Sequence, residues 1–154
     1  MIFESDRIIY VKLSEQYLND YIKMYTDSNI QKSLFKKEYN DDVIVNWVKK
    51  IIEEDNYIYS MIDRNTKEFI GNIQIIKKEE VAELMISITP SKQGMHYATE
   101  AVESIIKYGR NKLGISNYDL NVYKNNEKAI RLYQKVGFVE DDNNISDESI
   151  HMKL

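Results

Sequence analysis

The stretch Asn125-Asn-Glu-Lys-Ala-Ile-Arg-Leu-Tyr-Gln-Lys-Val-Gly-Phe138 is the most informative in the chain. Its apolar residues recur at helical spacing and predict a helix over about residues 127–136. Asn126 is placed to cap the start of that helix, and Gly137 is placed to end it in a left-handed conformation. Taken alone, the stretch is an ordinary amphipathic helix, and a tyrosine such as Tyr133 is most often a core or boundary residue.

A second stretch, Pro90-Ser-Lys-Gln-Gly-Met-His-Tyr-Ala-Thr-Glu100, lies between a predicted strand and a predicted long helix. The free N–H groups at a helix N-terminus bind anions such as pyrophosphate. Small residues such as Gly94 and Ala98 let an anion approach the backbone closely. The stretch is not a Walker loop, because no Gly-Lys-Ser/Thr follows. It is not a dinucleotide fingerprint either, because two of the three glycines are missing. Taken alone, it is more often an ordinary strand-to-helix loop than an anion site.

In the order in which they follow each other along the chain, residues 90–100 and then residues 125–138, the two stretches resemble the GNAT N-acetyltransferase superfamily. The segment Gln93-Gly94-Met95-His96-Tyr97-Ala98 matches in part the family's Gln/Arg-x-x-Gly-x-Gly/Ala loop, with His96 at the position of the central glycine. The family's second pattern, Asn-x-x-Ala-x-x-x-Tyr-x-x-x-Gly-Phe, is matched in full by Asn126, Ala129, Tyr133, Gly137 and Phe138. More loosely, the opening residues 3–13 (FESDRIIYVKL) resemble the RimJ/RimL-like branch of that family.

Periodicity and turn residues predict an α+β fold in a single domain over residues 1–154. Three strands from residue 57 to residue 88, joined by short polar turns, favour an antiparallel meander. The second half alternates strand, helix, strand, helix and strand, which favours a partly parallel sheet. The resemblance implies a GNAT-like mixed sheet with a split parallel pair of central strands. We expect four flanking helices, over about 14–25, 41–54, 97–113 and 127–136, and an irregular segment over 27–40.

The resemblance also implies that acetyl-CoA lies in the split between the strands that end near Ile88 and Val122. Backbone groups of Ile86 and Ile88 would pair with the pantetheine arm as an added strand does. The pyrophosphate would bind the loop formed by Gln93, Gly94, Met95, His96, Tyr97 and Ala98. Asn126 would hydrogen-bond the pantetheine, and Tyr133 would lie near the thioester sulfur. His96 either crowds the pyrophosphate or points to solvent and leaves the backbone amides usable.

The implied chemistry is direct transfer in a ternary complex, since the chain has no cysteine to carry an acetyl group. Tyr133 is the candidate acid that protonates the CoA thiolate, because a phenol has a reference pKa of about 10. Glu83 is the candidate base that takes a proton from the amine. Strand alternation puts Glu83, Met85 and Ser87 on one face. An equally plausible reading makes Glu83 an ordinary solvent-facing strand glutamate.

The acceptor implied by the resemblance is a primary amine, either a small amine such as a polyamine or the N-terminus of a peptide or protein. Its site would be built by residues 27–42 and by residues 141–149. The acidic residues in and around the second segment would suit a cation, although such runs more often simply solvate a turn. A non-catalytic acyl-CoA-binding module with the same fold is the alternative function, and a structural domain without CoA is a third.

Composition excludes several other classes of protein. Of 154 residues, 43% are hydrophobic and 30% are charged, which is a globular balance. No cysteine and two histidines make a metal site unexpected. A net charge of −4 disfavours nucleic acid as a partner, and no apolar run is long enough to cross a membrane. Residues 1–12 do not resemble a signal peptide, so we expect a cytoplasmic location. A homodimer is expected by analogy with relatives alone.

Overall fold

The computed structural model describes residues 1–35 and 39–154. Within these ranges, eight strands form one mixed sheet in the order β1-β2-β3-β4-β5-β6-β8-β7. The strands are β1 (Phe3–Glu4), β2 (Ile8–Lys12), β3 (Tyr57–Asp63), β4 (Phe69–Lys77), β5 (Ala82–Ile88), β6 (Tyr118–Tyr123), β7 (Val139–Asp141) and β8 (Ser149–Lys153). The described α-helices are α1 (Leu18–Tyr25), α2 (Ser28–Ser33), α3 (Asp41–Ile52), α4 (Tyr97–Lys112) and α5 (Glu127–Val136). Short 3-10 turns cover Glu15–Tyr17 and Pro90–Lys92.

The sheet topology confirms the predicted α+β fold. Strands β1 to β5 pair in sequence as an antiparallel meander. Strands β5 and β6 are parallel, because α4 carries the chain back to the end of the sheet at which β5 began. Strand β8 then pairs antiparallel with both β6 and β7.

The expectation of four helices and an irregular segment over residues 27–40 is wrong for part of that segment. Residues Ser28–Ser33 form α2, which makes five α-helices in the described ranges. The Asp27 carboxylate caps α2 by accepting hydrogen bonds from the backbone N–H groups of Asn29 and Ile30, each at 3.0 Å. Ile30 is buried, so one apolar side chain anchors a helix that is too short for a periodic stripe. Residues 36–38 of the predicted segment lie outside the described residues.

The sheet separates two apolar cores. Helices α4 and α5 cover one face, and helices α1, α2 and α3 cover the other. Alternation along each strand decides which core a side chain joins. On β3, for example, Tyr59 and Met61 pack under α4, whereas Ile58 packs under α1 and α3. Below, these are called the α4–α5 face and the α1–α3 face of the sheet.

Candidate active site

A split between β5 and β6 defines the site. The two strands are in register as parallel neighbours only at Ala82↔Tyr118 and Glu83↔Asp119, although β5 continues to Ile88 and β6 to Tyr123. On its other side, β5 pairs with β4 along its whole length. Past Glu83, the β5 backbone therefore turns its β6-facing N–H and C=O groups toward an opening between the strands, where an extended ligand can pair with them.

A cavity of about 800 Å³ fills this opening and extends to both faces of the sheet. Its walls come from β5, β6, the start of α4, one face of α5 and the helices α1 to α3. Ten of the eleven predicted site residues line it: Glu83, Ile86, Ile88, Gln93, Gly94, His96, Tyr97, Ala98, Asn126 and Tyr133. Met95 does not line the cavity. Its side chain is exposed, and its carbonyl accepts a hydrogen bond from Nη1 of Arg7 at 2.8 Å.

The backbone conformation of the loop before α4 favours glycine at position 96. His96 has φ 63° and ψ 17°, which is a left-handed conformation directly before the first residue of α4. Glycine adopts this conformation without steric cost, whereas other residues pay for it. The glycine of the family pattern therefore suits this left-handed conformation, which His96 adopts with an unfavourable conformational free energy. The His96 side chain makes no capping hydrogen bond. It therefore does not occupy the first backbone N–H groups of α4.

Contacts among four side chains fix the start of α4 against the sheet. Arg7, on the way into β2, donates from Nε to the Glu100 carboxylate at 2.8 Å, and its guanidinium lies 4.3 Å from the ring centre of Tyr97. The Tyr97 hydroxyl donates to Asp63 at 2.6 Å. This hydrogen bond and those from the turn after β3 lower the pKa of Asp63 to about 2. Arg7, Glu100 and Asp63 are not among the predicted site residues, because sequence spacing does not reveal such distant pairs.

Helix α5 leaves its apolar stripe available to the cavity. No residue of α5 is fully buried, although Ala129, Leu132 and Tyr133 lie on the stripe and line the opening. The Tyr133 ring packs edge-on against Phe138, with ring centres 5.8 Å apart. Its hydroxyl has no hydrogen-bond partner among the described residues. Burial raises the pKa of Tyr133 to about 12, so the phenol keeps its proton at neutral pH and can donate it.

The Glu83 side chain lies on the α1–α3 face, as the predicted alternation requires. Met85 and Ser87 share its face, whereas Leu84 packs into the core under α4. The Glu83 carboxylate is not an ordinary exposed glutamate, because its side chain is 20% exposed and pairs with Lys78 Nζ at 2.9 Å. The same ammonium lies 3.6 Å from Asp119 on β6. Glu83 therefore marks the closed end of the split, where the two strands are still side by side.

The acceptor segments behave differently from each other. Residues of the first segment, among them Ile30, Phe35 and Tyr39, line the cavity together with Tyr25 and Trp47. The second segment, residues 141–149, does not line it. Asp147 and Glu148 instead border a separate recess that also contains Lys32 and Lys124. The structure therefore does not bring the acidic segment to the opening between β5 and β6.

The cavity has an uneven distribution of charge. Four basic side chains line it on the side of α5 and the loop before α4: Lys92, Lys128, Arg131 and Lys135. The α1–α3 face contributes aromatic rings and the Glu83 carboxylate. This arrangement suits a polyanionic group at one end and a cationic or polar group at the other. Among the described residues, no helix is long and apolar enough to span a membrane.

Comparisons with known proteins show the family to which the chain belongs. The family model for the acetyltransferase (GNAT) domain matches residues 7–139. The chain therefore belongs to the GNAT acetyltransferase family, and it is an acyltransferase. An uncharacterised N-acetyltransferase of Bacillus subtilis, YoaA, is 27% identical over 89% of this chain and 82% of its own length. The spermidine N(1)-acetyltransferase of Vibrio cholerae is 27% identical over 73% of this chain and 68% of its own.

The fold is shared with solved structures of the family. A crystal structure of the spermidine N-acetyltransferase from Vibrio cholerae, in complex with CoA and spermine, superposes with a TM-score of 0.84 at 22% identity. The match covers 96% of this chain and 95% of that one. Members of the GNAT family use acetyl-CoA, and the structure of this neighbour contains CoA.

Proposed function

We propose that this chain transfers the acetyl group of acetyl-CoA to a primary amine in a ternary complex, and that the acceptor is a polyamine. The observation that carries the proposal is the split itself. It combines unpaired β5 backbone, the N-terminus of α4 and the Tyr133 phenol around one cavity. The branch of the family indicated by residues 3–13, a homodimer and a cytoplasmic location stay predictions.

The residues around the split fit acetyl-CoA. Backbone groups of Ile86 and Ile88 would pair with the amides of pantetheine. The N–H groups from Gly94 to Ala98 would receive the pyrophosphate at the positive end of α4, with Lys92 and Arg131 adding charge. Asn126 already uses its side-chain oxygen to cap α5 by accepting from Ala129 N at 3.4 Å. Its amide N–H groups are therefore the part of Asn126 that can donate to the ligand.

Two side chains would carry out the proton transfers that accompany acetyl transfer. Glu83, directly or through a water, takes the proton that an ammonium must lose before its nitrogen can attack the thioester carbonyl. Attack forms the C–N bond and a tetrahedral intermediate, whose nitrogen loses its second proton to solvent. The C–S bond then breaks, and the departing thiolate takes its proton from Tyr133. Solvent then reprotonates the phenolate. A free β5 or β6 backbone N–H is suited to stabilise the oxyanion of the tetrahedral intermediate.

The acceptor end of the cavity favours an alkyl chain that bears ammonium groups. Aromatic rings of Tyr25, Tyr39 and Trp47 line this end, where they can cover methylene groups and attract cations by their faces. Relatives from Vibrio cholerae and from two strains of Escherichia coli, at 27% to 33% identity, are named spermidine N(1)-acetyltransferases, and one similar fold was solved with CoA and spermine. These names support a polyamine over a peptide N-terminus.

The experiment is a thiol-release assay with acetyl-CoA and a panel of polyamines, aminoglycosides, amino acids and N-terminal peptides. Thermal unfolding with and without acetyl-CoA is measured in parallel, since a ligand that binds the folded state raises the unfolding temperature. We expect protection by acetyl-CoA and thiol release with spermidine or spermine. Protection without release for any amine would instead indicate an acyl-CoA-binding module, and release with peptides alone would overturn the polyamine assignment.

A further inference from the structure

A chain of alternating charges runs from β7 to the closed end of the split. His151 on β8 lies between two carboxylates: its Nδ1 is 2.5 Å from Asp141, and its Nε2 is 2.7 Å from Asp119. The same Asp119 oxygen lies 3.6 Å from Lys78, which pairs with Glu83 at 2.9 Å. The order is therefore carboxylate, imidazole, carboxylate, ammonium, carboxylate, and it ends in the cavity.

The position of these groups limits how they can respond to one another. The side chains of Asp119, His151 and Asp141 are 8%, 12% and 12% exposed, so water screens them weakly. Lys153, on the same strand as His151, lies 4.0 Å from Asp141, the carboxylate that faces Nδ1 of His151. The second oxygen of Asp119, Oδ1, is buried without a hydrogen-bond partner among the described residues. Asp119 therefore depends on His151 and Lys78 for its stabilisation.

Both nitrogens of His151 face carboxylates, and only the imidazolium can donate from both. Burial alone would lower the pKa of His151, but the hydrogen bonds to Asp119 and Asp141 raise it above its ordinary value. A neutral His151 would have to leave one carboxylate without a donor. Asp119 would then compete more strongly with Glu83 for the Lys78 ammonium.

We propose that His151 is a positioning residue for amine activation, because its imidazolium holds Asp119 and thereby sets how Lys78 is shared with Glu83. The kinetic part of this inference rests on the proposed function, in which Glu83 takes the proton of the amine. The charge coupling itself does not, because it is a property of the free protein.

Reciprocity gives a test that needs no activity, since two coupled sites must affect each other equally. The pKa of His151 is measured by NMR in the full chain and in two variants. Glu83→Gln lets Lys78 move to Asp119 and should lower the pKa of His151 by about half a unit, less than a directly contacting charge produces. Lys78→Met removes the competing cation and should raise the pKa of His151.

Shifts of opposite sign are the decisive signature, because a general loosening of the structure would move the pKa of His151 in one direction for both variants. An unchanged value, or a change of one sign in both, would overturn the inference. Glu127→Gln, an exposed change on α5, is the matched control and should have no effect.

The kinetic readout is the pH profile of kcat/KM for the amine. In His151→Gln, Asp119 draws Lys78 away from Glu83, so the acid limb should move to higher pH by about half a unit, while KM for acetyl-CoA stays unchanged. Asp141→Asn should move it in the same direction, which covers the case in which His151→Gln does not fold. Superimposable profiles would contradict the positioning role. Absence of turnover in the parent protein would count against the proposed function alone, because the NMR titrations still decide the coupling.

Discussion

Glu83 and Asp119 are the last residues at which β5 and β6 lie side by side, and both carboxylates approach one ammonium, that of Lys78. One residue further along each strand, the sheet opens. The same register that ends the parallel pairing thus places the candidate base at the apex of the cavity. The site begins where the backbone N–H and C=O groups of β5 no longer pair with β6.

Tyr133→Phe removes the candidate acid and little else, since the hydroxyl has no partner among the described residues. Turnover should fall by about 100-fold or more, whereas protection by acetyl-CoA should change little. The measurement is kcat by thiol release, together with the shift in unfolding temperature. Tyr57→Phe, a change on β3 outside the cavity, is the matched control. Undiminished turnover in Tyr133→Phe would remove the phenol from its role.

His96→Gly should stabilise the protein, because it relieves a left-handed backbone. The gain should be about 0.5–1 kcal/mol after the greater flexibility of glycine in the unfolded chain is subtracted, which corresponds to roughly 1–4 °C in unfolding temperature. Affinity for acetyl-CoA should stay the same or increase. His96→Ala keeps the strain and is the control. Loss of affinity in both variants would show that the imidazole itself contacts the ligand.

Gly109→Ala should destabilise the packing of α4 on β6. A Cβ atom at this position would lie 2.1 Å from the hydroxyl oxygen of Tyr118, and that hydroxyl donates to the carbonyl of Ile106. The cost should be about 1–3 kcal/mol by denaturant unfolding. Adding Tyr118→Phe removes the atom that clashes, so the double variant should recover part of the loss. A wild-type stability for Gly109→Ala would contradict this packing.

The hydrogen bond between Tyr97 and Asp63 should affect the stability of the protein at acidic pH. The pKa of Asp63 is lowered from its ordinary 3.8 to about 2, mainly by the hydrogen bond from Tyr97. Its stabilisation is therefore complete above about pH 4 and is lost as the pH falls through about 2. Tyr97→Phe raises this pKa, so acid unfolding should begin at a higher pH than in the parent. Between pH 4 and pH 7, the free energy of unfolding should change by the same amount in the variant and in the parent. Coincident acid limbs would contradict the contact.

Local periodicity predicted most of the fold. The stripe that ends at Gly137 and the alternation of residues 82–88 each describe one element, and both persist in the structure. The same applies to the loop before α4, because its residues are contiguous in sequence. Ten predicted site residues line one cavity for this reason.

Sequence reasoning missed features that depend on long-range pairing. Arg7 and Glu100 are 93 residues apart, and Asp119 meets His151 only because β6 and β8 adopt one particular register. Helix α2 escaped notice because a six-residue helix shows too little periodicity. The displacement of the acidic segment from the cavity has the same origin, since nothing local determines which recess a turn borders.

A crystal structure of the chain with CoA is the sharpest test of the opening between β5 and β6 as the site for this ligand. We expect pantetheine alongside Ile86 and Ile88 in that opening, with the pyrophosphate on the amides from Gly94 to Ala98 and the sulfur near the Tyr133 hydroxyl. CoA bound elsewhere, with the opening between the strands left empty, would contradict this assignment.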